Sequence, residues 1–334
     1  MRIILLQMKK RNLFLSILFS GMFAAAFLFL SCSSSNGHPE KNADNLSGKI
    51  TISGAFALYP LTVKWGQEFQ KIHPKITLNI SAGGAGKGMA DALSKMTDLG
   101  MYSKEVSPEE KARGAWYIAV SKDAVLPTIN MANPVIRELK AHGLTKQKFF
   151  DIFISGKIRT WGEATGTRSN VKLESFTRSD ACGAAEMWAK YLQGKKQEDL
   201  QGLGVNGDPG IADAIRRNAG GIGYNNLNFV YDMNTRKPYQ GIDVIPLDLN
   251  GNGKIDPEEN FYGSLDQVMN AIRSGVYPSP PARDLYLVSA GKPTNKAVLA
   301  FLKWILTDGQ KYLSEAGYVP VSPDKLEAGL EKVR

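Results

Sequence analysis

Three times along this chain, a run of strand-forming apolar residues ends in a loop of small residues that opens into a helical pattern. The loops are Ser53-Gly54-Ala55-Phe56-Ala57, Ala82-Gly83-Gly84-Ala85-Gly86 and Asp180-Ala181-Cys182-Gly183-Ala184. Strand, loop and helix in repetition is the grammar of an α/β fold. Ile50 and Ile52 mark the first strand. Leu61, Trp65, Phe69 and Ile72 share one face of the helix that follows, bracketed by Pro60 and Pro74. Ile76, Leu78 and Ile80 alternate as a second strand, and Met89, Leu93 and Met96 outline a short helix after the second loop. A strand near Trp116–Val120, a helix over Lys146–Ile154, a strand through Leu285, Leu287 and Val288 and a helix over Lys296–Leu306 continue the pattern.

In doubly wound sheets, ligands sit at the carboxyl ends of strands, so these loops are where a site forms. The third is the most telling. Arg178 stands beside the start of a helix whose apolar stripe is Ala184, Met187, Trp188, Tyr191 and Leu192. Free amides and the positive end of the helix dipole then point at whatever Arg178 grips, which is anion-binding architecture. The plainer alternative is an Arg178–Asp180 pair that only caps the helix. The second loop departs from the phosphate-cradling loop of nucleotide hydrolases, with Ser81 at the first glycine position and Gly88 at the hydroxyl position. That argues against an ATPase.

The first 31 residues carry Arg2, Lys9, Lys10 and Arg11, an apolar run from Leu13 to Leu30, and then Ser31-Cys32. This is the plan of an export signal. A small residue directly before a cysteine resembles a lipoprotein cleavage site, although Phe29 stands where leucine is usual; Cys32 would be acylated and residues 32–47 would form a flexible tether. The alternative is a membrane anchor, since about 18 apolar residues just span a bilayer. Removing four cations from a formal net charge of +9 leaves about +5. Such mild, diffuse basicity suits small anions or an anionic membrane surface, and without basic runs interleaved with aromatics it gives no case for nucleic acid. With Cys32 lipidated, only Cys182 remains, so no internal disulfide forms.

About 300 mature residues exceed a comfortable single core, so two lobes are expected. Pro127 and Asn133-Pro134 mark a first crossing between them, and Tyr277-Pro278-Ser279-Pro280-Pro281 a second. The boundaries that follow are 48–126 plus 282–334 for the first lobe and 127–281 for the second.

Taken in order, Ile52–Pro60, Gly83–Gly88, Asp98–Ser103 and Arg178–Ala184 resemble the ligand loops of phosphate ABC-transporter substrate-binding proteins, and Gly223-Tyr224 and Ala316–Pro320 fit as well. The resemblance covers about Lys49 to Val321. It implies a two-lobed periplasmic-binding-protein fold (type II-like) with a ligand cleft between the lobes, closing on inorganic phosphate or a related oxyanion. It also implies a lipid-anchored monomer in the cell envelope, periplasmic or extracytoplasmic, serving an ABC permease and ATPase; no enzyme activity is expected. Ligand contacts are implied for Ala55, Phe56, Ala57, Gly84, Ala85, Gly86, Asp98, Arg178, Asp180, Cys182, Gly183 and Ala184. Arg178 would pair with the anion, Asp180 would orient Arg178, and Asp98 would accept the proton of monohydrogen phosphate while repelling sulfate.

Ala55, Ala85, Cys182 and Ala184 stand where the family usually has hydroxyls. Each hydrogen bond to a charged ligand is worth about 1.5–3 kcal/mol, so Ser53, Ser103, Ser179 or Lys87 is expected to compensate. The same departure keeps other oxyanions open. Another class of alternative is a hydrolase or redox protein built on a Cys182 thiol activated at the helix N-terminus, although no histidine lies nearby in sequence. A third is an anchored scaffold with an inactive cleft.

A separate signal is Asp248-Leu249-Asn250-Gly251-Asn252-Gly253-Lys254-Ile255-Asp256-Pro257-Glu258-Glu259. Asp248, Asn250, Asn252, Asp256 and Glu259 fall at the oxygen-ligand positions of a twelve-residue calcium loop, Gly253 at its sharp turn and Lys254 at its carbonyl position. Residues 242–247 before it look like strand, so a structural calcium rather than a helix-pair switch is expected.

Overall fold

The computed structural model describes residues 46–334. The expected signal, Cys32 and the tether up to Asn45 lie outside the described residues. Within those described, no helix is long and apolar enough to cross a membrane.

The chain begins with β1 (Gly48–Gly54), α1 (Tyr59–Ile72), β2 (Ile76–Ala82), α2 (Ala85–Leu93) and β3 (Leu99–Tyr102), with β1 in parallel pairing with β2 and β3. Pro60 opens α1, where its missing N–H costs nothing, and Leu61, Trp65 and Phe69 are buried. The Trp65 indole also donates to Gly309 O at 2.8 Å. Ile72 sits in the last turn, 53% exposed, and Met96 lies beyond the end of α2, 75% exposed, so neither joins the face expected of it. A short α3 (Pro108–Ala112) leads into β4 (Ala115–Asn130).

The middle of the chain contributes α4 (Ile136–His142), β5 (Leu144–Thr145), α5 (Lys146–Phe153), α6 (Trp161–Thr165), β6 (Glu174–Arg178) and α7 (Gly183–Tyr191). There follow β7 (Leu203–Val205), α8 (Gly207–Arg217), β8 (Gly221–Asn226), α9 (Leu227–Val230), β9 (Ile242–Val244), β10 (Leu247–Asp248) and α10 (Leu265–Ser274). The chain returns through β11 (Ala282–Ala290) to α11 (Lys296–Leu306) and α12 (Pro323–Lys332).

The main sheet runs β2-β1-β3-β11-β4-β8-β6-β7, with β9 also on β4. Two separate apolar cores flank it. One holds Ile50, Trp65, Phe69, Leu287 and Phe301; the other holds Phe149, Trp161, Trp188, Tyr224 and Leu265. The antiparallel strands β4 and β11 pass from one core to the other. Ile118 and Val120 pack in the first core and Ala124, Val125 and Leu126 in the second, while on β11 Ala282 belongs to the second and Leu285 to the first. Leu285 faces Ser121 but Tyr286 faces Ala119, leaving Val120 as a bulge where the cores change over.

The boundary drawn at the Pro127 crossing puts Ala124–Leu126 in the first lobe, but they pack in the second core. Strand β4 continues through Pro127, which faces Tyr224 and accepts the Ile245 N–H at 3.1 Å. Its fixed φ is compatible with an extended strand, and no ladder bond there needs its missing N–H.

Candidate functional site

The carboxyl ends of β1, β3 and β6 meet between the two cores. Gly54 O accepts the N–H groups of Gly83 and Gly84 at 2.9 and 3.1 Å, and Ala55 N–H donates to Met101 O at 2.9 Å. A side chain at Gly54 would place its Cβ 2.3 Å from Met101 O, and φ there is +132°, so this crossing of loops requires glycine. The loop that leads into α1 is held by Tyr318, which donates to Ala57 O at 2.7 Å. Across the cleft, Gly86 N–H donates to Ala181 O at 3.1 Å, and the Phe56 ring lies 5.4 Å from the Arg178 guanidinium. Gly183 packs so closely on Ser103 that a Cβ would sit 2.1 Å from Ser103 O. Ala55, Phe56, Ala57, Gly84, Ala85 and Gly86 on one lobe are thus brought against Arg178, Asp180, Cys182, Gly183 and Ala184 on the other, with the lobes shut.

Arg178 is the centre of the second lobe's contribution, its side chain 1% exposed. Nε and Nη2 donate to the two oxygens of Asp180 at 2.8 and 2.6 Å, and Nη1 donates to Asp208 at 2.5 Å. Burial alone would lower its pKa, but the carboxylates of Asp208 and Asp180 outweigh that and hold the charge. Burial pushes Asp180 the other way, and its bonds to Arg178 bring it below the usual carboxylate range. Asp208 also accepts from Asn226 N–H at 3.1 Å and Asn226 Nδ2 at 2.7 Å. Tyr224, from the Gly-Tyr pair, accepts the Arg178 N–H at 3.2 Å and shares a 2.6 Å bond with Thr177. Arg178 and its two carboxylates together carry a formal net charge of −1.

The amides of Gly183 and Ala184, in the first turn of α7, have no intrahelical acceptor. Cys182 caps the helix, its Sγ accepting the Ala185 N–H at 3.3 Å. Burial pushes this thiol up to about 12, overriding the nearby Arg178, so it is neutral at physiological pH. A low-pKa nucleophile, the basis of the hydrolase or redox alternative, is therefore missing.

Asp98 is not at the meeting point. It precedes β3 at the amino end, where its Oδ2 accepts both the N–H and the hydroxyl of Thr51 at 2.7 Å. Thr51 lies three residues before Gly54, which at strand rise is about 10 Å from the cleft. The residue at the carboxyl end of β3 is Ser103, 2% exposed. Of the residues expected to replace the missing hydroxyls, Ser53 donates to Asp91 at 2.7 Å, Lys87 pairs with the same carboxylate, and Ser179 is exposed. Only Ser103 faces the cleft.

Sequence reasoning missed Asp208, Asn226, Asp123 and Arg283. Arg283, on β11, donates through Nε to Ser103 O at 3.2 Å and through Nη2 to Asn226 Oδ1. Its Nη2 lies 3.7 Å from Asp123 Oδ2. Burial raises the Asp123 pKa to about 6, against the pull of Arg283.

The Asp248–Glu259 segment folds into a tight loop with Gly251 and Gly253 at φ +74° and +81°. Asp248 accepts the Gly251 and Gly253 N–H groups at 2.7 and 3.0 Å, and Glu259 those of Leu249, Asn250 and Asp256 at 2.9–3.2 Å. Asn250 and Asn252 both donate to Asp256, as does the Lys254 ammonium at 2.9 Å. Among the described residues, no three His, Cys, Asp or Glu side chains converge as a metal cluster. Yet Asp248 and Glu259 are buried, 4% and 5% exposed, with no Lys or Arg partner.

Two lobes on separate cores, crossed by β4 and β11 and meeting at helix N-termini, define the architecture of a two-lobed periplasmic-binding protein. The model of the PBP superfamily domain matches residues 39–309, and the chain belongs to that superfamily. The phosphate-binding protein PstS of Bacillus subtilis is 26% identical over 329 residues, covering 96% of this chain and 97% of its own. PstS of Staphylococcus haemolyticus is 24% identical over 298 residues, covering 87% and 86%. A substrate-binding protein of Clostridium perfringens, solved with bound phosphate, superposes with a TM-score of 0.67 at 20% identity, over 82% of this chain and all of that one.

Proposed function

We propose that this protein is the extracytoplasmic binding component of an ABC importer for inorganic phosphate. The reading is supported most by the pairing of Arg178 with the first turn of α7 in a cleft that closes against the α1 and α2 termini. Amide donors fixed at a helix start bind an oxyanion without a metal, and the low dielectric of a closed cleft strengthens each bond. Relatives that span nearly the whole chain are phosphate-binding proteins by name. Delivery to a permease and ATPase, and tethering to the membrane through Cys32, complete the proposal. Calorimetric titration of the purified protein with phosphate and then sulfate tests it: phosphate binding supports it, and silence toward both anions removes it.

Binding of another tetrahedral oxyanion is the second reading. It is favoured by the methyl groups of Ala55, Ala85 and Ala184 and by the position of Asp98, which leaves Ser103 rather than a carboxylate at the end of β3. Sulfate binding as tight as phosphate binding would select it.

The Asp248–Glu259 loop is proposed as a structural calcium site. The twelve-residue ligand pattern and two buried carboxylates that form no ion pair among the described residues support this; Glu259 would exchange amide donors for the ion. Excess chelator is expected to lower the melting temperature, and calcium to restore it; identical melts with and without chelator refute the site.

A further inference from the structure

Arg178 donates hydrogen bonds to two carboxylates, whereas the cleft's other buried guanidinium has one carboxylate, Asp123, at 3.7 Å and no hydrogen bond to it. The Arg283 side chain is 5% exposed, and its two hydrogen-bonded nitrogens meet neutral acceptors, Ser103 O and Asn226 Oδ1. Among the described residues, Nη1 has no hydrogen-bond partner. A buried cation with free donors is costly unless something supplies acceptors, and a guanidinium suits the planar, two-point recognition of an oxyanion.

Its position fits such a role. Arg283 grips the backbone of Ser103, whose hydroxyl makes no hydrogen bond within the described residues. That hydroxyl lies 2.3 Å from where a Gly183 Cβ would be, beside the first turn of α7. A free guanidinium nitrogen, a free hydroxyl and the starting amides of α7 thus belong to one neighbourhood. Arg283 also belongs to β11, one of the two strands that cross between the cores, and binds Ser103 of one lobe and Asn226 of the other. Its geometry is therefore set by closure.

We propose that Arg283 is a ligand-contacting residue of the cleft, which together with the Ser103 hydroxyl supplies hydrogen-bond donors to a tetrahedral oxyanion held on the α7 amides. This rests on the oxyanion-binding reading above and adds an unpartnered guanidinium nitrogen, where all three nitrogens of Arg178 already donate to Asp180 and Asp208. The competing role for Nη1 is a water-bridged contact that tightens the existing 3.7 Å ion pair with Asp123, because Asp123 Oδ2 likewise accepts no hydrogen bond among the described residues.

Calorimetric titration with inorganic phosphate, alongside ligand-free melts, separates these. Arg283→Gln is expected to weaken phosphate binding at least tenfold while its ligand-free melting temperature stays within a few degrees of wild type. Asp123→Asn is expected to keep wild-type affinity or exceed it. Wild-type affinity in Arg283→Gln, with both variants melting earlier by similar amounts, would overturn the proposal in favour of the water-bridged pair. If Arg283→Gln does not fold, Arg283→Lys decides: weakening of fivefold or more supports a fork-shaped contact, and unchanged affinity overturns it. Failure of the wild type to bind phosphate or sulfate would remove the underlying reading, whereas binding by wild type and Arg283→Gln alike removes only this one.

Discussion

Gly183→Ala is the sharpest perturbation of lobe closure available in the chain. A Cβ at Gly183 would lie 2.1 Å from Ser103 O, 2.3 Å from its Oγ and 2.6 Å from its carbonyl carbon. Real Cβ contacts stay beyond 3.0 Å, so at least 0.9 Å of movement is needed. Ser103 O cannot yield alone, because it is part of the backbone and is held by Arg283. The simplest relief is for the lobes to part, since Ser103 and Gly183 belong to different ones. Forcing an overpacked contact costs about 1–3 kcal/mol, and if that penalty falls on the closed state it weakens phosphate binding about 5- to 150-fold. The open protein escapes the clash, so the ligand-free melt should change little. Gly210→Ala on α8 is the control, because its Cβ would meet Val205 at an ordinary 3.6 Å. Titration calorimetry with phosphate on wild type and both variants reads the effect. Affinity within twofold of wild type in Gly183→Ala would show that the Ser103–Gly183 contact plays no part in the liganded state.

Three other outcomes follow from the same structure. Asp98→Asn should leave the preference between phosphate and sulfate unchanged while weakening the paired Thr51 bonds by about 1 kcal/mol in urea unfolding; an altered preference would return Asp98 to the cleft. Cys182 should resist alkylation near neutral pH in the folded protein and react after denaturation, as peptide mapping can show; rapid native labelling would contradict the buried, neutral thiol. Asp123, raised to about 6 by burial, keeps between pH 4 and 6 a proton that the unfolded chain has lost, so its contribution to stability falls as pH rises through that window and is flat above it. The full effect is about 3 kcal/mol, and Asp123→Asn should gain on wild type by that order between pH 4 and 6.5; parallel stability curves would refute it.

The α/β grammar was legible because it rests on local periodicity: Leu61, Trp65 and Phe69 on α1, and Met187, Trp188 and Tyr191 on α7, are buried as their spacing requires. The Arg178–Asp180 contact was legible for the same reason, being two residues apart. Asp208 lies 30 residues from Arg178, and Arg283 lies 180 from Ser103; no periodic signal links such partners, only the tertiary fold that sets α8 against β6 and β11 beside β3. The misplacement of Asp98 was avoidable in part. It precedes the apolar strand Leu99–Tyr102, and a ligand at the carboxyl end of that strand meets Ser103 instead. Met96 shows the opposite failure, where helical spacing continued past the turn that ends α2.

The most direct test of an interlobe oxyanion site is a crystal structure of the protein grown with phosphate. The account predicts one tetrahedral anion between the lobes, within hydrogen-bond distance of the Gly183 and Ala184 amides and beside Arg178. An empty cleft at saturating phosphate, or an anion bound only elsewhere on the surface, would contradict it.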